Sequence, residues 1–250
     1  MNHSDTNDQT RVFDAHVHVD RGLDDYDLPK ARKNIIFNEV STYREAADSA
    51  RTRGDRITLI VDTSDAFSFV QAEAQAGRID ALKIHSRISK LSERDWPLML
   101  ARLEALPAHL PVVIDAFYFG ADLEHQPSIA GIVLLLSRLP ERRFVIAHSG
   151  GYRLLEYFFH LREFTNVHYE LSLSLQYLND SSVAADLRKL VRYTDKRRIV
   201  FGSDYPFASP RHQLSILRSI CDSLDISSTE FEDIVYGNAL RLFDPAGVRS

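Results

Sequence analysis

Seven side chains able to bind a metal ion or move a proton recur in one kind of place. His16, His18, Lys83, His85, Asp115, His148 and Asp204 each stand within, or directly after, a short apolar run. The first two are set into Arg-Val-Phe-Asp-Ala-His-Val-His-Val-Asp, residues 11–20. In a strand, side chains at i and i+2 point to one face, so both imidazoles can reach one point in space, as a metal requires of two ligands. The others are the residue types of general acid–base and metal-assisted chemistry. Taken singly, each has a plain structural reading. Asp115 and Asp204 could cap the helix or loop after each strand, Lys83 could bond a carbonyl, and His148 could be a core imidazole. Their repetition after successive apolar runs argues for a shared site. His3, His109, His125, His160, His168 and His212 lack that placement and stay outside it.

The elements that must position these groups alternate. Strand-like runs occur at 12–19, 57–61, 80–85, 111–114, 143–147, 167–173 and 198–201. Helical stretches occur at 41–54, 66–77, 94–106, 129–139, 153–164, 182–194, 211–224 and 229–242. Gly54, Gly77 and Pro107 mark helix ends, and Ser41 or Thr42 suits a helix start. Residues 30–40 fit either a helix or an eighth strand. Such alternation predicts a parallel α/β protein, and at 250 residues a single (β/α)8 TIM barrel, distorted or regular, rather than an open sheet. No glycine-rich dinucleotide fingerprint follows the first strand. In a TIM barrel the chemistry sits at the C-terminal ends of the strands, where the seven residues fall.

Composition narrows the function classes. A net charge of −5 with no basic cluster argues against nucleic acid and anionic membrane as partners and leaves a small molecule. No apolar run is long enough to span a bilayer. The single cysteine, Cys221, excludes an internal disulfide framework, fits a reducing cytoplasm, and reads as a core residue. Residues 1–10 are polar and are expected to form a frayed tail ahead of one domain over 11–250.

The ordered set Asp14-Ala-His-Val-His18, Leu82-Lys-Ile-His85, Phe144-Val-Ile-Ala-His-Ser-Gly-Gly151, Phe201-Gly-Ser-Asp-Tyr-Pro206 and Tyr236-Gly-Asn-Ala-Leu-Arg-Leu-Phe243 resembles the amidohydrolase superfamily. Within it, the chain resembles the amidohydrolase-related branch that includes aminocarboxymuconate-semialdehyde decarboxylase-like enzymes. The resemblance implies a distorted TIM barrel with one divalent metal at its mouth, usually zinc. It places His16, His18 and Asp204 as ligands. It implies acid–base chemistry for Asp204, substrate polarisation or water positioning for His148, and a Lys-x-His pattern at Lys83 and His85. The family usually has a ligand histidine where this chain has Asp115. A set of two histidines and two aspartates is chemically competent for zinc, is harder, and shifts preference toward manganese.

The expected activity is therefore hydrolysis by metal-activated water, with Asp204 taking the proton. Arg21, Arg87, Tyr118, Tyr152 and Arg153 are candidate contacts to a carboxylate-bearing substrate. The alternatives are a non-oxidative decarboxylase on the same residues, and a metal-free lactonase-like or catalytically inactive binding barrel. A homodimer is expected only by analogy with the family.

Overall fold

The computed structural model describes residues 10–19 and 22–244. Residues 1–9 of the expected tail, and Arg21, lie outside the described residues. Among the described residues there are eight strands: β1 Phe13–His18, β2 Arg32–Phe37, β3 Arg56–Ile60, β4 Ala81–Ile84, β5 Val112–Asp115, β6 Phe144–Ala147, β7 Val167–Glu170 and β8 Ile199–Val200. They pair in sequence order and in parallel throughout. The ambiguous stretch at 30–40 supplies β2, whose buried Ile35, Ile36 and Phe37 belong in a strand covered on both faces.

The helices are α1 Val40–Thr52, α2 Phe67–Gln75, α3 Trp96–Glu104, α4 Ile129–Arg138, α5 Leu154–Leu161, α6 Ser174–Tyr177, α7 Val183–Tyr193, α8 Pro210–Ser223, α9 Ser228–Glu232 and α10 Asn238–Phe243. Two expectations change. The N-cap of α1 is Glu39, without a side-chain cap bond, rather than Ser41 or Thr42. The last helix, expected unbroken over 229–242, divides into α9 and α10 around a π-helical turn at Asp233–Gly237. There the buried Asn238 amide donates to the carbonyls of Lys196 and Ile199, both at 2.7 Å, and pins the break to the start of β8. No helix among the described residues is long and apolar enough to cross a membrane.

Two apolar clusters hold the barrel. The larger lies between strands and helices. The smaller gathers Phe13, Ala81, Val113, Val145 and Val200 with Ala239, Leu242 and Phe243 of α10. Phe13 stacks on Phe243 with ring centroids 6.1 Å apart. Ala81 and Val113 precede Lys83 and Asp115 by two residues. Period-2 alternation therefore carries the polar pair to the same face as the inner cluster, one layer nearer the strand C-termini.

The seam between β1 and β8 is irregular. The β1–β2 register shifts between Asp14 and Val17. Across the seam, Ala15 N–H donates to Phe201 O (3.1 Å), His18 N–H to Tyr205 O (2.7 Å) and Asp204 N–H to His16 O (2.8 Å). The Asp14 carboxylate braces it, accepting from Tyr26 O–H and Ser203 N–H, each at 2.8 Å. This seam brings the first and last parts of the chain to one site.

Candidate metal and catalytic centre

His16 and His18 on β1 meet Asp204, which follows β8. Asp204 Oδ1 lies 3.2 Å from His16 Nε2 and 3.5 Å from His18 Nε2, and all three residues are buried. Their ligand atoms lie within 4.8 Å of one another. Glu170, the last residue of β7, fixes the tautomer of His16. Its Oε2 accepts from His16 Nδ1–H at 3.1 Å, which leaves the Nε2 lone pair facing Asp204. Burial first, and the nearby Lys83 charge next, hold the His16 pKa well below 6.5, so this imidazole is neutral. Burial alone would raise Asp204, but its interaction with the adjacent His16 ring and the His18 hydrogen bond outweigh it and set Asp204 at about 2.

Two imidazole nitrogens and a carboxylate thus converge in a buried space. A cation bound among them would offset the cost of burying these groups. Lys83 supplies one positive charge, its Nζ 3.0 Å from His16 Nε2. The donor set of two nitrogens and one oxygen fits a divalent transition metal.

A second trio, His16, His148 and Glu170, also has ligand atoms within 4.8 Å of one another. Here a protein hydroxyl already does the bridging. Ser172 Oγ donates to Glu170 Oε2 at 2.7 Å and lies 3.0 Å from His148 Nδ1. His148 Nδ1 also lies 3.2 Å from the Ser172 carbonyl, and its Nε2 lies 3.2 Å from Asp115 Oδ2. Burial lowers the His148 pKa, but the Asp115 hydrogen bond and the charges of Asp204, Asp115 and Glu170 overcome it and raise it to about 9. His148 is therefore an imidazolium with both N–H groups engaged.

Asp115, the expected fourth ligand, falls in neither convergent group among the described residues. Its Oδ2 faces His148 and, at 3.5 Å, His85 Nε2. Its Oδ1 lies 3.4 Å from Arg87 Nη2. Burial pushes its pKa up, but the His85 charge and the His148 hydrogen bond bring it well below 3.8. His85 itself is lowered to about 4, chiefly by burial.

Local backbone geometry explains the motifs. His148 and Ser149 have φ of 58° and 50°, and Asp204 has φ of 61°. L-residues held in this left-handed region are strained, a feature that gathers at functional sites. Gly150, at φ 92°, lies where a Cβ would meet the Tyr157 ring at 2.5 Å. A Cβ on Gly202 would collide with the Glu170 carboxylate and come within 3.0 Å of the His16 Cβ, so the glycine before Ser203-Asp204 keeps the site open.

Of the expected substrate contacts among the described residues, Arg87 alone is bonded to the cluster. Its hydrogen bonds to Asp115 and the Phe119 carbonyl are both long at 3.4 Å, and its Nε has no partner. Tyr118, Tyr152 and Arg153 form a separate group. The Tyr118 hydroxyl is spent on the Pro127 carbonyl, its ring lies beneath Arg153, and Arg153 is bound by Glu156 through two bonds of 2.5 Å. Tyr152 is exposed, with its ring 5.9 Å from that of Tyr118. The sequence alone does not single out Glu170 and Ser172, which lie within a stretch that reads as plain strand over 167–173. A lone glutamate closing an apolar run is the same signal that marks Asp115.

The family profile described as Amidohydrolase matches residues 38–244. The chain belongs to the amidohydrolase family. The match includes Lys83, Asp115, His148, Glu170 and Asp204 and begins after His16 and His18. It does not single out the decarboxylase-like branch. No curated protein matches at significant similarity.

Among solved structures, this amidohydrolase is similar to the Saccharomyces cerevisiae dihydroorotase in complex with 5-fluoroorotic acid. That pair has 11% identity, a TM-score of 0.67, and coverage of 94% of this chain and 84% of the other. It is also similar to an uncharacterised TIM-barrel protein from Bordetella bronchiseptica, with 19% identity, TM-score 0.65, and coverage of 86% and 78%. A third is the inactive dihydroorotase-like domain of a Chaetomium thermophilum multifunctional protein, with 14% identity, TM-score 0.65, and coverage of 94% and 80%. At these identities the likeness concerns the fold, and it spans active and inactive barrels alike.

Proposed function

We propose that this amidohydrolase is a metal-dependent hydrolase of a small carboxylate-bearing substrate. The observation that carries the reading is the convergence of His16 Nε2, His18 Nε2 and Asp204 Oδ1 in a buried space. These three residues would hold one divalent ion, zinc in the first instance and manganese as the harder substitute. Such an ion lowers the pKa of water and polarises a carbonyl.

The chain's own residues divide the remaining work. Glu170 keeps the His16 lone pair turned toward Asp204. Asp204, ionised across the physiological range, is the proton acceptor. His148, kept protonated by Asp115 and with both N–H groups held by protein acceptors, supplies a fixed positive charge that would offset negative charge developing on a carbonyl oxygen. Asp115 acts on His148 in this reading rather than on the metal. Lys83 offsets the negative charge of Asp115, Asp204 and Glu170. Arg87, loosely bonded and with a free Nε, is the group that would receive a substrate carboxylate.

The test is a panel of lactones and cyclic amides, each with and without a free carboxylate, assayed with zinc- and manganese-loaded protein. Hydrolysis confined to the carboxylate-bearing members, and abolished by Asp204→Asn, is the expected result. Carbon dioxide release without hydrolysis would reassign the site to decarboxylation.

A further inference from the structure

On the outer wall, far from the strand C-termini, α5 and α7 pack side by side. Between the C-terminal ends of these helices, where β8 begins, lies a groove of about 980 Å³. Its lining carries five cationic side chains against one carboxylate, in a chain of net charge −5. Two of the cations are engaged locally. Arg162 pairs with Glu163 at 2.9 Å, and Arg198 donates to the Phe164 carbonyl at 2.6 Å. The other three, Arg188, Lys189 and Arg192, come from one stretch of α7. None has a carboxylate partner among the described residues, and the Arg188 guanidinium donates to the Ala184 carbonyl of its own helix.

Two further features share this groove. Phe159 and Tyr193 line it with rings that are 52% and 67% exposed, and Lys189 Nζ sits 5.5 Å from the Phe159 centroid. Thr194, also in the lining, is 3% exposed, yet its Oγ1 has no hydrogen-bond partner. A buried hydroxyl without a partner costs free energy until something bonds it.

We propose that this groove is a second ligand site, for a small molecule joining a polyphosphate to a flat ring, the chemistry of a nucleoside polyphosphate. Phosphate oxygens suit three unpaired cations and an orphaned hydroxyl. A flat ring suits the exposed ring of Tyr193. The volume is of the size that small-molecule sites occupy. The site draws on no residue of the metal cluster, and it lies at the barrel end opposite that cluster.

The experiment is calorimetric titration of the full chain with ATP, with tripolyphosphate and adenosine as the two half-ligands. Saturable one-to-one binding of ATP is expected, tighter than tripolyphosphate by about tenfold. The double variant K189E/R192E, altered at exposed positions, is expected to lose at least about tenfold in ATP affinity while melting as the parent does. T194V is expected to weaken ATP binding while raising the melting temperature of the free protein, because it removes the orphaned hydroxyl. His16→Ala is expected to leave ATP affinity unchanged. No saturable ATP binding, affinity unchanged in K189E/R192E, equal affinity for ATP and tripolyphosphate, or loss of ATP binding in His16→Ala would each overturn the proposal.

Discussion

His148 and Asp115 face one another in the barrel interior, Nε2 to Oδ2 at 3.2 Å, and the same carboxylate is shared with His85 and Arg87. The pairing gives Asp115 a partner set that does not include the convergent His16, His18 and Asp204. A carboxylate committed to an imidazolium acts through that imidazolium, as the orienting acid does in a catalytic triad. Asp115→Asn should therefore leave metal occupancy at the parental level, lower the His148 pKa from about 9, and cut kcat by on the order of a hundredfold. Metal analysis beside NMR titration of the His148 ring checks both halves. Metal loss matching that of His16→Ala would restore Asp115 as a ligand.

Glu170 predicts the opposite pattern. Its Oε2 holds Nδ1 of His16 at 3.1 Å, so Glu170→Gln, which can present an amide N–H to the same nitrogen, should let the ring take the other tautomer. Metal affinity should fall by about 10–100-fold, measured by competition with a chromogenic chelator. Unchanged affinity would make Glu170 a packing residue.

The barrel is legible in the sequence because its signal is repetitive. Apolar runs alternate with helical stretches from β1 to β8, and each polar strand end repeats the last. The stretch that forms β2 is ambiguous because Arg32, Lys33 and Asn34 open it, and only the buried Ile35, Ile36 and Phe37 mark it as a strand. His16, His18 and Asp204 are legible as a set through motif resemblance. The partners of Asp115 are not, because which side chains a strand-end carboxylate meets is fixed across neighbouring strands, by β4 and β6. Nor can spacing alone separate Arg87, which touches the cluster, from Arg153, which Glu156 holds away from it.

Gly202→Ala tests the close packing of the seam. The added Cβ would press on Glu170 and His16, and overpacking of this kind costs about 1–3 kcal/mol. Urea denaturation should show that loss, with metal affinity falling in parallel. A variant with parental stability and affinity would mean that the seam has slack.

Acid and base should destabilise the metal-stripped protein through different histidines. His85 has a folded pKa of about 4 against an ordinary 6.5, so below pH 6.5 the unfolded chain takes up a proton first and stability falls until about pH 4. His148 has a folded pKa of about 9, so its contribution is complete below pH 6.5 and is lost as pH rises through about 9. Melting temperature against pH should therefore peak near pH 6.5. His85→Gln should make the acid limb shallower, with His16 and His168, also held below 6.5 by burial, carrying the rest, and His148→Gln should flatten the alkaline limb. Limbs unchanged in both variants would assign them to other groups.

Arg87→Leu should raise KM for carboxylate-bearing substrates by about tenfold or more, with a smaller change for uncharged analogues. An equal loss for both classes would place Arg87 in holding Asp115 rather than in recognition.

The metal itself is the most direct test. Protein purified without chelator, stripped, and reloaded with zinc or manganese should bind about one equivalent, and His16→Ala, His18→Ala and Asp204→Ala should each abolish that equivalent while the chain stays folded. Less than about a tenth of an equivalent after reloading, or full occupancy in all three variants, would contradict the metal centre on which the proposed function rests.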